Sequence, residues 1–279
     1  MQQIADKNGK NTMSLVHTMG ERRFGRVNWL GVRTLVLREV LRFLKVYSQT
    51  LVAPVATAAL FLAVFTLALA GQRGEVLGQP FAAFVAPGIV MMAVIQNSFA
   101  NTSSSIIIAK VQGNIVDTLM PPLSPAELTA GFALGGAARG IAVALLAGIF
   151  LFPATGVGAV APLWLLVFAV LGSVLLALIG LAAGIWADKF DHVAAVTNFI
   201  VTPLSFLSGT FYSLERLPEA FQTFCRVNPF FYLIDGFRYG ALGVSDASPW
   251  TGLLILLACI AFMGWLCWRM FTTGYRLKN

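Results

Sequence analysis

Charge almost vanishes from four long stretches of this chain, and that absence constrains the fold more than any motif does. Leu51 to Ala70 holds no Asp, Glu, Lys or Arg, and neither does Pro80 to Ala109. Arg139 alone interrupts the run from Leu128 to Ala187, and Trp250 to Trp268 is clear again. The hydrocarbon core of a bilayer takes about 20 apolar helical residues to cross. These runs exceed what a soluble core helix needs, so the chain reads as an all-α membrane protein. Helix pairs every backbone group within its own segment, and the alternation of a membrane β-barrel is absent.

Six transmembrane helices are expected, over residues 51–70, 82–108, 126–152, 160–187, 194–212 and 250–271. The chain is 58% hydrophobic and 11% charged, against about 25% charged in soluble domains. The net charge of +7 would suggest nucleic acid in a soluble protein. Here Lys and Arg mark cytoplasmic loops instead, and no nucleic-acid partner is expected. Residues 1–50, the second and fourth connections and the last residues carry fourteen Lys and Arg; the opposite loops carry Arg73, Arg216, Arg226 and Arg238. Both termini are therefore expected in the cytoplasm, which an even number of spans satisfies.

The first 28 residues are polar and basic, have no apolar core before a small-residue cleavage site, and read as a flexible cytoplasmic tail rather than a signal peptide. Cys225, Cys259 and Cys267 form no CxxC and read as small apolar residues. From Trp29 to Tyr47, Arg38, Arg42 and Lys45 recur at i, i+4 and i+7, while Leu30, Leu37, Leu41 and Leu44 fall largely on another face. This pattern predicts an amphipathic helix in the cytoplasmic interface, its basic side toward anionic headgroups. A solvated helix with a stop-transfer charge cluster is the plainer alternative.

The loop KVQGNIVDTLMPPLSPAE, Lys110 to Glu127, is dense in local signals. Asn114 can cap a helix, with Asp117 at its positive end. Pro121 and Pro122 stop that helix after about two turns. Ser124, Pro125 and Glu127 then form a capping box for the next span. A short rigid helix on the cytoplasmic face results, suited to docking, though an ordinary loop is the simpler reading. On the other side, residues 213–249 hold Leu217, Phe221 and Phe224 at helical spacing, then Asn228 and Pro229 as cap and first turn. Tyr232, Asp235 and Arg238 follow, the last two spaced to pair at i, i+3. Two short helices dipping into the outer leaflet and returning fit this pattern; a surface loop is the alternative.

Arg139 is the one full charge well within a span, and intramembrane charges face protein or water. Asn97, Asn101 and Ser105 form a polar stripe at i, i+4, i+8. Both features can line a substrate path or simply hydrogen-bond between helices. Pro87-Gly88 suggests a hinge. Gly131/Gly135, Gly136/Gly140 and Gly180/Gly184 permit close helix packing. No GxxxxGK[ST] occurs, the chain has two histidines, and HExxH and GxSxG are missing. Neither catalysis nor a cofactor or metal site in this chain is expected.

Three segments in order, FVAPGIVMMAVIQNSFANTSSS, KVQGNIVDTLMPPLSPAE and SFLSGTFYSLERLPEAFQTFCRVNPFFYLIDGFRYG, resemble type-2 ABC exporter permeases, the ABC-2 type, and within it the bacterial group of YadH and NodJ. The resemblance covers residues 29–279, which would form one transmembrane domain. It implies an N-terminal interfacial helix, six spans, a cytoplasmic coupling helix and a re-entrant helical hairpin before the last span. The coupling helix would be Asn114, Ile115, Val116, Asp117, Thr118, Leu119 and Met120. The hairpin would include Glu215, Asn228, Pro229, Tyr232, Asp235 and Arg238. It further implies a homodimer in the bacterial inner membrane, in contact with membrane lipids, and a separate ABC ATPase subunit that binds ATP and Mg. The implied activity is export of a lipid-like, saccharide or drug substrate. A secondary transporter driven by an ion gradient is the alternative, but it favours ionisable groups at the midplane and internal repeats.

Overall fold

In the computed structural model, residues 27–69, 75–214 and 217–277 are described. The predicted tail, apart from Val27 and Asn28, and Glu215 of the predicted hairpin lie outside them. Chain order is α1 (Trp29–Leu44), a π-helical turn (Ser48–Val52), α2 (Ala53–Leu69), a two-stranded ribbon, α3 (Phe81–Val111), α4 (Ile115–Leu119), α5 (Pro125–Thr155) and α6 (Pro162–Trp186). Then come α7 (Phe190–Val196), a second π-helical turn (Thr197–Val201), α8 (Thr202–Phe206), α9 (Glu219–Val227), α10 (Pro229–Leu242) and α11 (Pro249–Thr273). The ribbon pairs Glu75 with Pro80 and Val76 with Gln79 antiparallel, and Leu77 and Gly78 turn it with positive φ.

Among the described residues five helical segments are long and apolar enough to cross a membrane: Ser48–Ala68, Phe81–Val111, Pro125–Thr155, Pro162–Trp186 and Pro249–Thr273. The span expected over 194–212 differs. Its helical run begins earlier, at Phe190, ends at Phe206, and contains the π-helical turn Thr197–Val201. Thr202-Pro203 lies at the junction, where proline cannot supply an N–H to a regular helix. This run still leads from the Asp188 end of the bundle to a loop, residues 207–214, that packs on the opposite end: Gly209 O accepts from Arg238, which sits over Phe84 near the start of α3.

The centre of the bundle is α3, buried along most of its length between α5 and α6. Glycines allow that approach. A Cβ on Gly136 would lie 2.7 Å from both Ala177 and Thr102, Gly140 faces Ser98 and Ser173, and Gly180 and Gly184 face the backbone of Phe99 and Ser103. Gly131 and Gly135 are the seat of α1, against Leu35 and Glu39. All three small-residue pairs thus serve helix packing. A fourth pair, Gly236/Gly240 of α10, faces Phe168 and Leu165 of α6. Pro87 lies inside an unbroken α3, and Gly88 admits the backbone of Thr210, whose carbonyl would sit 2.8 Å from an added Cβ. The apolar side chains left outside, such as Leu60, Leu67, Ile149, Leu254 and Phe262, form an outer surface suited to a hydrocarbon surrounding.

Candidate functional site

One end of the bundle collects α4, the start of α1 and the C-terminal turn. On α4, Ile115 and Thr118 are buried, while Val116 (55% exposed), Asp117 and Met120 (75% exposed) face outward. The helix is shorter than expected, five residues instead of seven. Asn114 stands at its N-cap with φ −103° and ψ 17°, but its side chain donates to Gln112 and caps nothing. The expected Asn114 cap is therefore not formed. The backbone of Asp117 donates to Asn114 O instead, a tight single turn that leaves no room for the side-chain bond.

The expected capping box is present. Glu127 N donates to Ser124 Oγ at 3.4 Å and Ser124 N donates to Glu127 Oε2 at 2.6 Å. The other oxygen of Glu127 accepts from Asn28 N at 2.6 Å. Asn28 also caps α1, accepting from Gly31 N at 2.9 Å, and its amide donates to Pro122 O. Arg38 reaches Thr118 Oγ1 at 3.4 Å. The loop carrying α4 is thus bolted to both ends of the first half of α1.

On the other flank, Lys110 donates to the terminal carbonyls of α6, Ile185 and Ala187, and lies 3.5 Å from Asp188. A cation is favoured at that negative helix end. Arg276 joins it, 2.9 Å from Asp188 and 2.8 Å from Trp186 O. A groove of about 580 Å³, within the range of binding clefts, runs between α4 and this C-terminal turn. Ile115, Val116, Leu119, Met120, Arg276 and Leu277 line it.

The predicted basic face of α1 is only partly a surface. Arg42 turns inward: its Nε and Nη2 donate to Glu39 Oε2 at 3.2 and 3.1 Å, and Nη2 also reaches Asn101 O at 2.6 Å. Arg38 lies 3.3 Å from Glu39 Oε1, which also accepts from Ser105 Oγ at 2.8 Å. Lys45 is exposed. The placement of all three toward headgroups is therefore corrected for Arg42 and for part of Arg38. The cause is Glu39, fully buried where α1 crosses α5 at Gly135. A buried carboxylate requires cationic and hydrogen-bonding partners. The apolar edge of α1 does remain outside, at Leu30, Leu37, Leu41 and Leu44. Sequence reasoning passed over Glu39, although it is the single acid between Trp29 and Ala70 and sits among arginines.

The polar stripe of α3 divides. Arg139 Nη2 donates to Asn97 Oδ1 at 2.7 Å, joining α5 to α3. Asn97 opens on a cleft with Gln49, Thr57 and Gln96. Ser105 and Arg139 line a different cavity, beside α1. Asn101 is fully buried with no partner for its amide, and it lines neither space.

At the opposite end, α9 and α10 form the helical pair expected there. Asn228 caps α10, accepting from Phe230 N at 3.0 Å, with Pro229 in its first turn. Helix α10 is buried almost throughout against α3, α6 and α11. Phe221, Phe224 and Val227 of α9 face outward. Arg238, fully buried, donates to Gly209 O at 2.6 Å and to Phe84 O at 3.3 Å, and stacks 4.0 Å from the Phe84 ring centroid. Its partner at i−3, Asp235, lies 3.8 Å away and accepts from the backbone of Asp246 and Ala247. The Tyr232 hydroxyl donates to Arg226 O, closing α9 on α10.

Membrane-crossing helices around a buried polar centre, with a braced helix standing at one face, are the build of a membrane transport permease. The chain belongs to the ABC-2 type transporter family, whose pattern matches residues 31–242. It is 36% identical over 256 residues to the inner membrane transport permease YadH of Escherichia coli strain K12, covering 90% of this chain and 98% of that protein. It is 27% identical over 262 residues to Nodulation protein J of Rhizobium leguminosarum bv. viciae, covering 86% of this chain and 92% of the relative. Within that family the chain is a permease subunit of an ABC transporter, a transport component and not an enzyme.

Proposed function

We propose that this chain homodimerises in a bacterial inner membrane, as one transmembrane domain over 29–279, and couples to a separate ABC ATPase to export a lipid-like, saccharide or drug substrate. ATP and Mg bind in the partner, and both termini face the cytoplasm. The observation that carries the reading is the outward face of α4. Val116, Asp117 and Met120 present an apolar and acidic surface to the outside, while Thr118, Pro122 and Glu127 tie the same loop to α1. A push on α4 is passed to α1 and α5 through those bonds. The name of YadH, an inner membrane transport permease, supports the location. The fourteen-to-four charge distribution supports the orientation.

The test is co-purification. Tagged protein extracted from its native membrane in mild detergent should bring down a stoichiometric P-loop ATPase, identified by mass spectrometry. Asp117→Lys should reduce that recovery roughly tenfold, the loss of about 1.4 kcal/mol of docking energy. Membrane insertion should be unchanged, because Asp117 is exposed. Equal recovery with Asp117→Lys would sink α4 as the docking element.

A further inference from the structure

Beside α1 lies the largest of the cavities described above, about 880 Å³, near the upper end of small-molecule sites. It is bounded by α1, α3, α4 and Arg139 of α5. Its charge is unbalanced. Arg38, Arg42, Lys45 and Arg139 line it against Glu39 and Asp117. The oxygens of Glu39 are already taken by Arg38, Arg42 and Ser105. Among the described residues no carboxylate pairs with Arg139 or Lys45. Arg139 Nε is buried and has no hydrogen-bond partner.

Depth matters as much as charge. Arg139 lies roughly 20 Å along α5 from Pro125, at ~1.5 Å per residue, close to the middle of a 31-residue helix. A cation at that depth faces protein or water. Here the cavity joins it to Gln112, Asn114 and Asp117 at the α4 end. One wall is apolar: Leu37, Leu41, Phe43 and Val46. Leu37 and Leu41 are also exposed on the outer edge of α1, in line with Leu30 and Leu44. The space thus presents paired guanidiniums inside and a greasy margin at its mouth. Guanidinium groups match phosphate geometry through parallel N–H bonds, and an apolar margin accommodates an acyl chain.

We propose that this cavity binds the phosphate-bearing headgroup of an anionic amphiphile, with Arg42 and Arg139 as its ligands and Glu39 as the resident carboxylate that holds Arg42 until the anion arrives. The chain of the amphiphile lies along Leu37 and Leu41. This deepens the export reading by naming a substrate class, but the binding step needs no ATPase.

The experiment is therefore done on the purified permease alone. Native mass spectrometry in non-ionic detergent compares phosphatidic acid with phosphatidylcholine of the same chains, with inorganic phosphate as competitor. Phosphatidic acid should be retained roughly tenfold more tightly than phosphatidylcholine, and Arg139→Gln should remove about that factor. Arg33→Gln, exposed on α1 outside the cavity, should change nothing. Glu39→Gln should tighten the binding, a gain that a folding defect cannot imitate. Equal retention of the two lipids, an unchanged Arg139→Gln, or no gain with Glu39→Gln each overturn the site. Displacement by millimolar inorganic phosphate overturns the amphiphile and assigns the cavity to the free ion. Loss of ATPase co-purification with Val116→Lys, at an exposed α4 residue outside this cavity, is an independent readout, so either reading can fail alone.

Discussion

Arg238 shows how much one side chain can hold together in a membrane protein. Among the described residues it is the largest fully buried side chain, and it joins α10 to the start of α3 and to the 207–214 loop at once. Its Nη1 lacks a close partner, so the planar fork is used for two carbonyls and one aromatic face rather than for a tight ion pair. Arg238→Met should strip both carbonyls of their donor and leave Asp235 buried without its cation. The expected cost is about 3 kcal/mol, read as a lowered midpoint in detergent thermal unfolding. Arg238→Lys should not restore it, because a single ammonium cannot span Phe84 O and Gly209 O while covering the ring. The i, i+3 spacing of Asp235 and Arg238 was legible in the sequence. That their shared work is done with backbone groups far along the chain was not, because those partners are set by tertiary packing.

At the scale of elements, glycine spacing decides which helices touch. Gly180 lets the backbone of α6 meet the Phe99 carbonyl of α3. Gly180→Val should force the two helices apart, at about 1–3 kcal/mol. The same unfolding measurement would read it, with Gly264→Val of α11, which has open space at its Cβ, nearly neutral. The spans, the capping box at Ser124 and the two short helices before α11 followed from composition and local rules, since each is a property of contiguous residues. The fifth crossing did not. Its expected end at 212 rested on continued apolarity, but the chain turns at Leu207, and Ser208, Gly209 and Thr210 fold back on α3 and α10. The α1 arginines were misplaced for the same reason: periodicity says which residues share a face, and Glu39 decides which way that face turns.

For the whole molecule, the ends of α1, α4 and α11 gather at one face, tied by Asn28 to Pro122 and by Arg276 to Asp188. The ribbon, the 207–214 loop and α9 sit at the other. If the charge distribution sets orientation, Met120→Cys should react with an impermeant thiol reagent only in inside-out vesicles. Val160→Cys, exposed in the α5–α6 connection, should react only from the opposite side. Reversed labelling would invert the topology and place α4 away from any cytoplasmic ATPase.

By itself the sequence determined that this chain lives in a bilayer, where its long apolar helices run, and where short helices interrupt them. Those outcomes depend on hydropathy over about 20 residues and on caps within four. Only the tertiary structure decided which polar groups meet. Asn97 lies 42 positions from Arg139 and Ser105 lies 66 from Glu39. In a low-dielectric interior each such group must find a partner wherever the packing brings one within reach. Periodicity carries no information over those separations, so the buried charge network and the cationic cavity emerge only from the packed bundle.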